Sequence, residues 1–236
     1  MAVKKPVLVA VIAVWALVIA GAIGIGALLL TGDDGDGKEA EKKADGGSSE
    51  KAVEPGLEEF YDQEIDWESC GSNDCGTLTV PIDYQDPTAG SIEIALERAN
   101  ATGDKIGSLV VNPGGPGAPG TDVPKDAEFY FADELREAYD IVGFDPRGTG
   151  ESSPVDCVSD DDLDKQIAAD PDPDTPDEVE EGEATAEKFW AGCESKSGEV
   201  AAHVSTVEAA RDMDVLRAAL GEDKLDYLGF SYGTRL

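Results

Sequence analysis

Gly229-Phe230-Ser231-Tyr232-Gly233 holds the clearest chemical potential in this chain. It closes the apolar run Leu225-Asp-Tyr-Leu-Gly-Phe230, which reads as a strand. A serine on a sharp strand-to-helix turn presents its hydroxyl at the end of a sheet, and bulky neighbours at the flanking positions would clash there. Ser231 is therefore the candidate nucleophile. The pattern alone is weak; its place after an apolar strand carries the reading. A second segment, Asn112-Pro-Gly-Gly-Pro-Gly117, directly follows the short apolar run Ser108-Leu-Val-Val111. Acyl transfer needs backbone N–H groups aimed at the oxyanion that develops on the attacked carbonyl. One is expected from Tyr232, the residue after the nucleophile. The other is expected from the glycine-rich loop, where proline has no N–H to offer. Gly114 or Gly115 must then donate, with Gly115 favoured. The third segment, Asp145-Pro-Arg-Gly-Thr-Gly-Glu-Ser152, also follows an apolar strand. Asp145 and Arg147 read as residues that fix this loop through hydrogen bonds rather than as reacting groups.

The elements around these segments predict an α/β domain. Gly76–Tyr84 is rich in β-branched residues, and Pro81 suggests an edge strand. Ser91–Arg98 alternates apolar and polar residues as a half-buried strand does, and Asp86-Pro-Thr-Ala-Gly90 supplies a turn between the two. An antiparallel opening pair is expected. Ser108–Val111, Tyr139–Phe144 and Leu225–Phe230 are short apolar runs of the kind buried in parallel sheets. A helix is expected over about 133–138. Another is expected over 204–220, with Val207, Ala210, Val215, Leu216 and Leu220 at helical spacing. Ser205-Thr-Val-Glu208 makes a capping box at its start, and Gly221 a stop at its end. Strand, helix, strand, helix, strand is the order of a parallel sheet with crossover helices. From about 154 to 203 the pattern breaks into an acidic insertion, read as a solvated excursion rather than a substrate-binding lid.

Four segments in this order resemble one family. Leu109–Gly120, Val142-Gly-Phe-Asp-Pro-Arg-Gly148, the Ala209-Ala-Arg-Asp212 stretch and the Gly229–Gly233 elbow are similar to the tripeptidyl-aminopeptidase branch of the α/β-hydrolases, exported bacterial serine exopeptidases related to prolyl aminopeptidases. The segment with Cys70 and Cys75 is similar too, so the resemblance covers about 57–236. It implies an α/β-hydrolase fold and release of short peptides from free N-termini, through an acyl-enzyme on Ser231 and without a cofactor or metal. In this fold the acid and the histidine follow the nucleophile. Leu236 is the last residue given, so the reading expects an N-terminal fragment, truncated after the elbow, unstable alone and inactive for want of its base. His203, the only histidine, precedes Ser231 and is not assigned as that base. Two alternatives stay open: an esterase or lipase on the same fold, and a non-catalytic membrane-anchored binding module.

Composition bounds the setting. The chain has 236 residues, 41% of them hydrophobic, and a formal net charge of −33. A field of that sign repels nucleic acid and anionic lipid, so nucleic-acid binding is excluded as a function class. Lys4 and Lys5 precede an unbroken apolar run over residues 7–30. At about 1.5 Å per residue this run spans a bilayer core of about 30 Å. It predicts a signal-anchor over 1–31 with the lysines inside and the rest of the chain outside the cell, or a secreted protein if the segment is cleaved. Residues 32–56 are polar and acidic and predict a disordered linker. The four cysteines, Cys70, Cys75, Cys157 and Cys193, then face an oxidising compartment that favours two disulfides. Three connectivities are open. The most economical joins Cys70 to Cys75 and Cys157 to Cys193. A zinc site is disfavoured, because no Cys-x-x-Cys occurs. Oligomeric state is left open.

Overall fold

Two long β-branched runs pair at the start of the domain, and everything that positions the elbow is built onto them. A computed structural model describes residues 53–236. The expected membrane segment and all but the last residues of the expected linker lie outside the described residues. Among the described residues, no helix is long and apolar enough to cross a membrane. Contacts with the domain begin at Glu54, whose carboxylate pairs with Arg211.

Strands β1 (Glu68–Cys70), β2 (Asn73–Pro81), β3 (Ser91–Ala99), β4 (Gly107–Asn112), β5 (Tyr139–Phe144) and β6 (Asp226–Gly229) form one mixed sheet in the order β1-β2-β3-β5-β4-β6. β2 and β3 are the expected antiparallel pair, in register from Asp74 opposite Arg98 to Pro81 opposite Ser91. β3 pairs antiparallel with β5, whereas β4 runs parallel to both β5 and β6. The edge expected from Pro81 is only local. β1 pairs with β2 no further than Cys75, so Pro81 has a partner on one side alone and its missing N–H breaks no ladder bond.

Helices cover both faces of the sheet. On one, Leu78, Val80, Ile94, Leu96, Val110, Val142 and Phe144 pack with Met213, Val215 and Leu216 of the Thr206–Ala219 helix. On the other, Val111 and Ile141 pack with Val123, Ala127 and Phe131 from two short helices, Asp122–Lys125 and Ala127–Tyr130. The Thr206–Ala219 helix starts with the expected capping box between Ser205 and Glu208. Of its expected apolar face, Val215 and Leu216 are buried and Leu220 packs against the core, while Val207 is exposed. Ala209, Asp212 and Met213 are also buried, so a charged residue, Asp212, sits within the buried stripe.

The acidic insertion is helical. It contains Asp160–Ala168 and a long helix, Pro176–Ala201, opened by a capping box between Thr175 and Glu178 and kinked at Ser197. Disulfides join Cys70 to Cys75 and Cys157 to Cys193, the economical pairing. The second fastens the loop after β5 to the long helix.

Candidate active site

β6 ends at Gly229, and the chain turns sharply at Ser231, whose φ of 50° lies in the left-handed region. Serine rarely adopts this conformation, and such strain collects at functional sites. A one-turn 3-10 helix, Ser231–Arg235, follows at once. The corner is braced from within: Gly233 N–H donates to the Phe230 carbonyl at 2.7 Å, and the Tyr227 hydroxyl donates to the Gly233 carbonyl at 2.8 Å. A Cβ at Gly229 would strike the Gly233 carbonyl, so the pattern's first glycine answers to its last. Ser231 itself is exposed.

The parallel pairing of β4 with β6 sets Asn112 opposite Gly229, which brings the glycine-rich loop to the elbow. The fully buried Asn112 links the two. Its carbonyl accepts from Phe230 N–H at 3.0 Å, and its Oδ1 accepts from Gly114 N–H at 2.8 Å. A Cβ on Gly114 would overlap the Phe230 carbonyl and come within 3.0 Å of Ser231 Cβ and 3.1 Å of Tyr232 N, so only glycine fits there. The same contacts separate the two candidate donors. Gly114 has spent its N–H on Asn112, whereas Gly115 N–H has no acceptor among the described residues. Tyr232 N–H lies in the first turn of its helix, where no intrahelical acceptor exists.

A cavity of about 580 Å³ opens beside the elbow, lined by Pro116, Gly117, Pro146, Phe189, Trp190 and Tyr232 among others. The acidic stretch of the insertion, 160–183, is solvated as expected, whereas Phe189 and Trp190, further along its long helix, line this cavity.

Residues 107–236, more than half of the chain, match the model of the alpha/beta hydrolase fold family. The chain belongs to the α/β-hydrolase family. It is 42% identical over 184 residues to a tripeptidyl aminopeptidase of Streptomyces coelicolor, covering 73% of this chain and 34% of that protein. It is 44% identical over 187 residues to the serine protease Hip1 of Mycobacterium tuberculosis, covering 74% of this chain and 36% of that protein. It is also 40% identical over 149 residues to a carboxylesterase B of Mycobacterium tuberculosis, covering 61% of this chain and 28% of that protein. The chain thus spans about a third of the length of the curated relatives it matches.

Within this α/β-hydrolase site, the loop after β5 is a support. Asp145 Oδ1 accepts from Thr121 N–H and Oγ1–H, and its Oδ2 accepts from Glu151 N–H. Arg147 is buried against Asp212 in a two-pronged pair at 2.8 and 2.6 Å, and it also donates to the carbonyls of Pro81, Ile82 and His203. Tyr84 completes the network, donating to Asp212 Oδ1 at 2.8 Å. Burial pushes the Asp212 carboxyl up and the Arg147 guanidinium pulls it back. Burial, with the Asp212 carboxylate alongside, holds the Tyr84 phenol far above its ordinary range. The nearest signal for this network in the sequence is Asp212, a carboxylate on the apolar stripe of its helix; nothing in the chain order marks Arg147 as its partner.

His203 lies in this supporting layer. Its Nδ1 is 2.7 Å from Glu208 Oε1, and the other Glu208 oxygen accepts from Ser205. Burial raises the Glu208 carboxyl, but the Ser205 and His203 hydrogen bonds outweigh it and leave the group below its ordinary value. Ligand atoms of Asp83, His203 and Glu208 lie within 4.8 Å of one another, the spacing a cation would need, although Glu208 is already committed to its helix cap. Cys70 and Cys75 are bonded to each other and offer no thiolate. Sequence reasoning missed Asn112 as the link between loop and elbow, Tyr227 as its brace, and Phe189 and Trp190 as a cavity wall. The position of Asn112 ahead of Pro-Gly-Gly was the available signal for the first; the others had none.

Proposed function

We propose that Ser231 is the nucleophile of a serine peptidase that releases short peptides from free N-termini. The observation that carries this reading is the left-handed Ser231 set against a second loop, with uncommitted N–H groups at Tyr232 and Gly115. In this reading the Ser231 hydroxyl attacks the scissile carbonyl and gives its proton to a histidine. The tetrahedral oxyanion is held by the Gly115 and Tyr232 N–H groups. Collapse breaks the C–N bond, the amine leaves with the proton, and water repeats the sequence to free the acyl group. The fold orders its triad Ser, Asp, His, so the acid and the histidine are expected after the elbow. The names of the relatives, a tripeptidyl aminopeptidase and a serine protease, support the peptidase; the carboxylesterase among them favours an esterase as the second reading. Two disulfides support placing the domain outside the cell, tethered by residues 7–30 or secreted after cleavage.

The test is fluorophosphonate labelling and turnover of the full-length protein. Labelling lost in Ser231→Ala, with peptide anilides cleaved faster than acyl esters, is the expected result. Labelling that survives Ser231→Ala refutes the nucleophile, and faster cleavage of esters moves the assignment to the second reading.

A further inference from the structure

The cavity beside the elbow supports a more specific statement, which rests on Ser231 being the nucleophile. Tyr232 lines this cavity and is also the residue whose N–H faces the developing oxyanion in the reading above. Tyr232 thus links this cavity to the elbow. Its volume of about 580 Å³ is enough for a ligand side chain and more.

Most of its polar lining groups are already committed. The Arg147 guanidinium is spent on Asp212 and three backbone carbonyls, Thr149 Oγ1 donates to the Pro146 carbonyl, and Ser205 Oγ bonds to Glu208. The Tyr232 hydroxyl pairs with Thr206 Oγ1, and Glu194 is exposed. A polar side chain entering here would lose its water without gaining partners, which costs a few kcal/mol. The apolar wall is prepared. Phe189 and Trp190 stack edge to face, with ring centroids 5.7 Å apart, and Trp190 is 69% exposed although it is the largest apolar residue of its helix. The wall is held in place twice, by the Cys157–Cys193 disulfide and by Ser197, whose Oγ accepts from Asp156 N–H and donates to the Asp156 carbonyl.

We infer that the Phe189–Trp190 edge of the insertion is the specificity wall of this site, selecting an apolar side chain on the acyl side of the scissile bond. Leu and Asn are near-isosteres, and both are uncharged, so the strong negative field of the protein does not separate them. The experiment compares kcat/KM of the full-length protein for peptide anilides with Leu or Asn at the residue preceding the cleaved bond. Wild type is expected to prefer Leu by at least about tenfold, and Trp190→Ala to cut that preference about tenfold. Trp190→Phe should keep most of it. Fluorophosphonate should still label Ser231 in both variants, because the nucleophile and its donors are not touched. A Leu/Asn ratio unaltered in Trp190→Ala and in Phe189→Ala, with labelling intact, overturns the inference and leaves the nucleophile standing. Loss of the nucleophile reading shows instead as labelling that survives Ser231→Ala. A measurement free of turnover separates the two: a Leu-ending peptide should shift the tryptophan emission to the blue in the Ser231→Ala variant but not in Ser231→Ala/Trp190→Ala, and its Asn counterpart should shift neither. An equal shift with both peptides, or one that survives Trp190→Ala, also overturns the specificity wall.

Discussion

Ser231 adopts a φ of 50° that glycine accepts freely and a residue with a Cβ does not. The strain is local: Ser231 is exposed, and the Tyr232 N–H beside it has no acceptor within its helix. The expected consequence is a dissociation of stability from reactivity. Ser231→Ala and Ser231→Gly should both abolish labelling, but Ser231→Gly should be the more stable by about 1 kcal/mol, since it alone relieves the left-handed backbone. Urea unfolding of the two variants checks this, and equal midpoints would argue against stored strain. Asn112 shows the same economy at the neighbouring position. One side chain and its own carbonyl hold both the loop and the elbow, and by taking the Gly114 N–H they leave Gly115 as the free donor.

At the scale of elements, the site depends on a strut that none of its reacting groups supplies. Arg147 leaves the loop after β5 and reaches the end of β2, the residue at the insertion's exit and the Thr206–Ala219 helix with one guanidinium. Both members of its ion pair are buried, with side-chain exposures of 1% and 3%. Removing one partner strands the other charge in the interior, whereas removing both leaves a smaller debt. Arg147→Met is accordingly expected to cost about 3–5 kcal/mol, and the double variant Arg147→Met/Asp212→Leu to recover a large part of it. Chemical denaturation of the single and double variants makes the comparison. A double variant no more stable than Arg147→Met would show that the geometry of the strut, rather than its stranded charge, is what matters.

The whole molecule carries 51 acidic against 18 basic residues, and much of the excess lies along the insertion that walls the cavity. Repulsion among like charges opposes the compact state and is screened by salt, over about 10 Å at 0.1 M and about 3 Å at 1 M. Stability should therefore rise from 0.05 to 1 M sodium chloride, read as the thermal midpoint at neutral pH. A flat or falling midpoint would mean that local ion pairs, which salt weakens, dominate instead. The same excess argues against nucleic acid or an anionic membrane surface as a partner. The described sheet ends at β6, which pairs only with β4 and leaves Phe230 and Leu228 substantially exposed beside Ser231.

Features set by near neighbours were legible in the sequence. The β2–β3 pair, the apolar strands β4 and β5, the Ser205–Glu208 cap and the turn at Gly229–Gly233 all follow from side-chain period, capping chemistry and local sterics, which act over a few residues. The family, too, was legible in the order of four short motifs. What tertiary structure alone decided acts over long separations. It chose one cysteine connectivity among three. It placed β5 between β3 and β4, and so set the loops after β4 and β5 side by side. It joined Arg147 to Asp212 across 65 residues, burying a charge within an otherwise apolar stripe. It spent the N–H of Gly114 and not that of Gly115, and it folded an acidic, solvent-facing insertion so that Phe189 and Trp190 face the cavity. The physical reason is the same throughout: a hydrogen bond or a buried surface between distant segments is specified by the packing that brings them together, and residue type alone does not reveal which partner will arrive.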